Sequence, residues 1–135
     1  MKTRHVPDLE LCQEFDTLCK EKGIVVPETE FYWCFYNVGG WTLHHVNQSY
    51  DKNVTERIAT PLVSEQGEWL PLLSGYELIA SGEHRGGNWV SFYMAKKKGE
   101  NDFPMGRDLC KSDTEANARQ KMINYLIAEG IITKL

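Results

Sequence analysis

The sequence has no excess of positive charge and no long apolar run. Fifteen Lys and Arg residues stand against nineteen Asp and Glu residues, which gives a formal net charge of −4 at pH 7. This balance disfavours whole-chain attraction to nucleic acid or to anionic membranes, because both are negatively charged. No apolar run approaches the roughly 20 residues that a transmembrane helix needs, and the N-terminus lacks the apolar segment of a signal peptide. We therefore expect a cytoplasmic protein that does not enter a membrane.

Cysteine and metal-ligand motifs are equally sparse. None of the four cysteines, at positions 12, 19, 34 and 110, forms a C-x-x-C pair. Cys12 and Cys19 lie two helical turns apart, a spacing typical of small core residues, although a redox or metal role stays open. His44 and His45 are neighbours in a predicted strand, so their side chains point to opposite faces and cannot chelate one ion together. The sequence predicts no metal and no cofactor.

Catalytic motifs are also absent from the sequence. It contains no G-x-S-x-G nucleophile motif and no Gly-Lys-Ser/Thr phosphate loop. The glycine-rich segment 82–88 joins two predicted strands, so a hairpin turn is its simplest interpretation. Its His84 and Arg85 are nevertheless the polar side chains best placed on a loop to touch a ligand. We expect a binding protein, while a small-molecule enzyme with an unidentified site stays open.

Hydrophobic periodicity and turn residues define the elements that are present. A helix is predicted over residues 8–22, with Asp8 as its N-cap and Gly23 just after its end. Thr60 and Pro61 are the start signal of a short middle helix, and Ser112 and Glu115 form the capping box of a long last helix. Strands are predicted over residues 31–36, 41–46, 76–81 and 89–95. Residues 47–60 carry no clear period and are predicted to form a loop.

These elements predict an α+β fold in one domain over residues 1–135. Short turns join consecutive strands, which favours antiparallel pairing. The expected architecture has two layers and the order α-β-β-α-β-β-α. An antiparallel four-stranded sheet carries both long helices on one face, because neither helix can bury its apolar stripe alone.

Aromatic residues are the feature that the sequence has in excess. They make up 11% of the chain, with four Trp residues. Trp89 and Tyr93 should face away from the core side of their strand, and Trp41 could join them on an outer aromatic face. Either the middle helix around Trp69 covers this face, or a partner or a second copy of the chain does. The predicted binding residues are Trp41, His44, His84, Arg85, Trp89 and Tyr93.

The C-terminal segment carries a resemblance. Its sequence, Thr114-Glu-Ala-Asn-Ala-Arg-Gln-Lys-Met-Ile-Asn-Tyr-Leu-Ile-Ala-Glu-Gly-Ile131, resembles the closing helix of small, uncharacterised proteins from bacterial phages and mobile elements. The Thr-Pro-Leu sequence at position 60 and the strand that contains Trp89 fit the same layout. The resemblance implies a small phage-type accessory protein. It implies no known activity, so no catalytic residue is carried over.

The leading hypothesis is therefore a non-catalytic accessory protein that binds a protein partner, or a second copy of itself, through an aromatic sheet face. A homodimer fits this hypothesis. The alternative is a factor that contacts nucleic acid through the basic run Lys96-Lys97-Lys98. Against this alternative, the last helix begins with the acidic sequence Ser112-Asp-Thr-Glu115, which would repel phosphate.

Overall fold

A computed structural model describes residues 5–37, 39–47, 54–70, 76–82, 89–95 and 111–135; for 76–82 and 90–95 it describes the backbone. Within these residues the chain is α+β, as the sequence predicts. The helices are α1 (Leu9–Lys22), α2 (Val63–Trp69) and α3 (Glu115–Ala128). The strands are β1 (Phe31–Tyr36), β2 (Gly40–His45), β3 (Val54–Thr60), β4 (Tyr76–Gly82), β5 (Trp89–Ala95) and β6 (Lys111–Ser112).

The described strands form two three-stranded antiparallel sheets, which differs from the single four-stranded sheet that we expected. The first sheet has the order β2-β1-β3 and the second has the order β4-β5-β6. Both predicted hairpins, β1–β2 and β4–β5, are present. Each one gains a third strand, β3 or β6, that the sequence analysis did not include.

Strand β3 corrects the prediction of a loop over residues 47–60. Its sequence is VTERIAT, in which β-branched residues favour extended backbone. Only Ile58 and Thr60 are buried, while Glu56 and Arg57 are exposed, so the strand lacks the regular apolar alternation that marks a half-buried strand. Pairing with β1 supplies the stabilisation that the local pattern does not reveal.

The helices contact one another and different sheets. Helix α1 contacts α3 and strand β3 of the first sheet, whereas α3 contacts α2 and all three strands of the second sheet. The structure therefore does not confirm the expected placement of both long helices on one sheet face.

The helix ends show where local sequence signals succeed. Gly23 ends α1 in the left-handed region at φ 68°, and the Ile24 amide donates to the Cys19 carbonyl at 2.8 Å, as the glycine signal predicts. The start signals predicted for α2 and α3 do not coincide with the observed helix starts. Thr114 caps α3 by accepting from the Asn117 amide at 3.1 Å, in place of Ser112. Thr60 is the last residue of β3 and does not cap a helix at Pro61. Helix α2 begins at Val63 instead.

A hydrophobic core formed by described residues lies between the helices. It joins Phe15 and Cys19 of α1, Leu70 after α2 and the apolar stripe of α3, which is Met122, Ile123, Leu126 and Ile127. Trp69 stacks on Phe15 with ring centroids 5.6 Å apart and an interplanar angle of 16°. The predicted stripe of α3 is thus confirmed, and Trp69 belongs to the helical core.

Candidate binding surface on the first sheet

The β1–β2 hairpin places a row of large apolar side chains on one side of the first sheet. Alternate residues of a strand share a face, and the register sets Trp33 opposite Leu43 and Phe35 opposite Trp41. We call the side chains of Phe31, Trp33, Phe35, Trp41 and Leu43 the aromatic face. All five are half-buried, so each keeps part of its surface accessible.

The aromatic face is closed on its β3 side. Ile58, which lies opposite Trp33 on β3, is only 3% exposed, and α1 contacts this strand. The Trp33 indole N–H donates to the Pro7 carbonyl at 3.3 Å, so the segment before α1 lies against this part of the face. On this side of the sheet Ile58 and Thr60 of β3 are buried and Glu56 of β3 is exposed, while the aromatic face itself is half-buried.

Ring contacts order the open side of the face. The Phe35 and Trp41 rings lie 5.2 Å apart at 53°, and Phe31 meets the His45 ring edge-on at 5.1 Å and 85°. The His45 Nε2 atom lies 3.0 Å from Glu30 Oε1, and its Nδ1 accepts from the Asn47 amide at 3.1 Å. These contacts orient the rings, and each of the ring side chains stays half-buried.

Strand β2 is also an edge strand. Within the described ranges, no strand pairs with its outer edge. Its sequence, GWTLHH, contains no Lys, Arg, Asp, Glu or Pro, which are residues that commonly protect an edge from pairing. The opposite edge strand, β3, exposes Glu56 and Arg57 and has a register irregularity against β1 at Phe35 and Tyr36. The β3 edge of the first sheet thus carries features that hinder pairing with a further strand, and the sequence of β2 does not.

The structure separates the binding residues predicted from the sequence. Trp41 and His44 lie on β2 but on opposite faces, and the His44 Nε2 atom is 2.9 Å from the Tyr36 hydroxyl. Trp89 and Tyr93 lie on β5 of the second sheet, where Trp89 is half-buried and pairs with Gly82 and Ser112. The predicted residues His84 and Arg85, and the run Lys96–Lys98, lie outside the described residues.

The covering layer predicted around Trp69 is not found over the aromatic face. Helix α2 contacts α3, and Trp69 stacks on Phe15 in the helical core. The predicted outer face of Trp41, Trp89 and Tyr93 is divided between the two sheets, so both interpretations of what covers Trp89 and Tyr93 stay predictions.

The buried thiols are not activated nucleophiles. Burial raises the pKa of Cys12 to about 12 and the pKa of Cys19 to about 11, where Asp16 adds to the effect. Burial also raises the pKa of Cys34, and the positive charge of Arg57 opposes this shift. Because the thiolate is the reactive form, these three groups are inert at pH 7 and serve as core residues, as the spacing of Cys12 and Cys19 predicts.

Two further site classes can be assessed for the described part of the chain. It contains no cluster of three or more His, Cys, Asp or Glu side chains that could hold a metal ion. None of its helices combines the length and the apolar character needed to cross a bilayer.

A second apolar surface includes residues that follow α1. Val25 is 84% exposed and Ile131 is 41% exposed. A cavity of about 380 Å³ opens beside Val25 between the segment after α1 and the C-terminal segment, with Ile24, Pro27 and Leu135 in its lining. None of the residues that line this cavity is aromatic.

Sequence reasoning missed a chain of buried amide side chains. Gln66 of α2 donates through Nε2 to the Ala116 carbonyl at 2.8 Å and to Gln120 Oε1 at 3.2 Å. Gln120 donates to Asn124 Oδ1 at 2.9 Å, and Asn124 donates to the Leu11 carbonyl of α1 at 3.1 Å. Gln120 and Asn124 share a helix face with Asn117, a spacing from which a polar stripe on α3 could have been predicted.

Comparisons with known proteins add no relative. No protein-family model, no curated protein and no solved structure matches this chain. The relationship to phage and mobile-element proteins therefore stays a prediction.

Proposed function

We propose that the protein is a protein-binding module that docks an apolar segment of another protein on its aromatic face. The observation that carries the proposal is the half-buried state of the five side chains of that face on the β1–β2 hairpin. Trp, Phe and Tyr are enriched at the centres of protein interfaces, where they provide much of the binding free energy. The accessory role implied by the C-terminal resemblance is part of this proposal.

The form of the aromatic face supports docking of an extended or helical apolar segment. Helix α1 and the segment that contains Pro7 contact its β3 side, whereas β2 is an edge strand within the described residues. Trp41 lies on β2 with its ring against Phe35. A partner side chain placed against Trp41 would bury apolar area, and the exposed carboxylate on this side of the sheet, Glu56, lies on β3 opposite Phe35 and not on β2.

Selection from a displayed peptide library on the immobilised full chain tests the proposal. We expect enriched peptides with aromatic or aliphatic anchors that bind the wild type. The substitution Trp41→Ser should weaken their binding by more than about 2 kcal/mol, or roughly thirtyfold, because the central anchor contact is lost. Titration of each variant with a labelled peptide measures this change.

Val25→Ser is the matched control, since it removes an exposed apolar side chain from the other surface. This variant should bind the selected peptides as the wild type does. Failure of the library to enrich any binder would contradict the proposal. So would peptides whose affinity falls with Val25→Ser and is unchanged by Trp41→Ser.

A further inference from the structure

The outer edge of β2 points to a second interaction, which is made by its backbone groups and does not depend on the function proposed for the aromatic face. We propose that β2 pairs in antiparallel fashion with β2 of a second copy of this chain, about a two-fold axis at Thr42. The two first sheets then become one continuous sheet.

The hydrogen-bond register identifies the backbone groups that point outward. The Val46 amide donates to the Glu30 carbonyl at 2.7 Å, on the β1 side of the hairpin. Residues of an antiparallel edge strand alternate between inward and outward backbone groups, so Thr42 bonds towards β1 while Trp41 and Leu43 direct theirs outward. These outward groups meet no other strand in the part of the chain that the structure covers.

A two-fold axis at Thr42 satisfies these groups with a second copy. Trp41 then lies opposite Leu43 of the other chain, and each such pair exchanges both of its backbone hydrogen bonds. Thr42 lies opposite Thr42 in the intervening close pair. The contact is isologous, so every bond made by one chain is made again by the other.

The side chains agree with this register. The paired Trp41 and Leu43 are both apolar members of the aromatic face, and both are half-buried in the single chain. Thr42 is exposed on the opposite face, and Thr–Thr pairs across strands are favourable. No Lys, Arg, Asp or Glu of β2 is brought against a like charge, because the strand contains none.

The opposite edge explains why the pairing is assigned to β2. Strand β3 exposes Glu56 and Arg57 side by side and has irregular register at its first residues. Both features discourage strand addition. One edge of the first sheet is thus protected and the other is open and self-complementary, which favours a closed dimer over an extended fibre.

Analytical ultracentrifugation of the full chain across a dilution series tests the inference. The wild type should show a dimer that dissociates on dilution. Thr42→Lys should raise the dimer dissociation constant by at least about tenfold, because it sets two ammonium groups against each other at the axis. Thr55→Lys, which changes an exposed Thr on the opposite edge strand in the same way, should leave the dissociation constant unchanged.

A cysteine variant tests the register itself. In Thr42→Cys, two thiols meet across the axis and should join as an intermolecular disulfide in the presence of oxidised glutathione, which is reduced as the bond forms. Thr55→Cys should not form this dimer. Circular dichroism of all four variants establishes that they are folded.

Three results would overturn the inference: a wild type that is monomeric at every concentration, equal weakening by Thr42→Lys and Thr55→Lys, or equal cross-linking of the two cysteine variants. A monomer that still binds selected peptides through Trp41 would overturn the pairing and leave the proposed function standing. A dimer that binds no selected peptide would leave the pairing standing and contradict the proposed function.

Discussion

The helical core and the aromatic face both consist of apolar side chains but differ in burial. Phe15, Met122, Ile123, Leu126 and Ile127 are all 0% exposed in the helical core. The side chains of the aromatic face are half-buried. The helical core therefore removes these side chains fully from water, which stabilises the fold, whereas the first sheet keeps part of its apolar surface accessible.

Truncation of a core side chain should cause the largest loss in the free energy of unfolding. Leu126→Ala removes a fully buried side chain from α3 and leaves a cavity, so we expect a loss of about 2 to 5 kcal/mol in the free energy of unfolding. Urea denaturation followed by circular dichroism measures the loss. A loss below about 1 kcal/mol would mean that the helical core is loosely packed and does not dominate stability.

Alkaline pH should affect the junction between the two regions, where Cys12 of α1 lies beside Thr60 and Trp33. Burial raises the pKa of Cys12 in the folded state from 9.0 to about 12. Above pH 9 the unfolded chain loses this proton and the folded chain keeps it. The stability contributed by the neutral thiol is therefore complete below pH 9 and is lost as pH rises towards 12, by at most about 1.4 kcal/mol per pH unit.

Unfolding free energies of the wild type and of Cys12→Ala, measured from pH 8 to pH 11, isolate this contribution. The wild type should show the steeper alkaline decline. A residual decline is expected in the variant, because the pKa of Cys19 is also raised by burial. Parallel curves for the two proteins would show that ionisation of Cys12 does not limit stability.

Truncation on the aromatic face should have the smallest effect on stability. Trp41 is half-buried and its ring contacts Phe35, so Trp41→Ser should cost about 1 kcal/mol in the free energy of unfolding, well below the cost of Leu126→Ala. The same urea experiment compares the two variants. A loss as large as that of Leu126→Ala would place Trp41 in the folding core and remove the distinction between the two regions.

Sequence periodicity was sufficient for those elements whose signals are local. The apolar spacing of α1 and α3, the glycine after α1 and the aromatic run of β1 each describe one element and need no distant contact. Strand β3 is an element that local periodicity does not predict. Its exposed Glu56 and Arg57 obscure the alternation, and only its pairing with β1, more than 20 residues earlier in the chain, makes it a strand.

The candidate surface was predictable in part. The sequence indicates an aromatic excess and the presence of Trp41 in a strand, but the grouping of β1 and β2 with β3 and the separation of Trp41 from Trp89 depend on sheet topology. The amide chain was missed for a different reason. Gln66 is distant in sequence from Gln120 and Asn124, and polar residues beside an apolar stripe are usually taken as its exposed border.

The amide chain has a consequence for how the helices find their alignment. Each amide donates to the next in a single direction, from Gln66 through Gln120 and Asn124 to the Leu11 carbonyl, so reversing one amide would break its links to both neighbours. Apolar surfaces alone tolerate sliding, whereas a shift of α2 along α3 by one residue would leave these groups buried without partners. Gln66 Oε1 already has no hydrogen-bond partner among the described residues. The amide chain thus sets the axial position of the three helices relative to one another, because replacing any one amide by an apolar side chain would leave a buried neighbour without a hydrogen-bond partner.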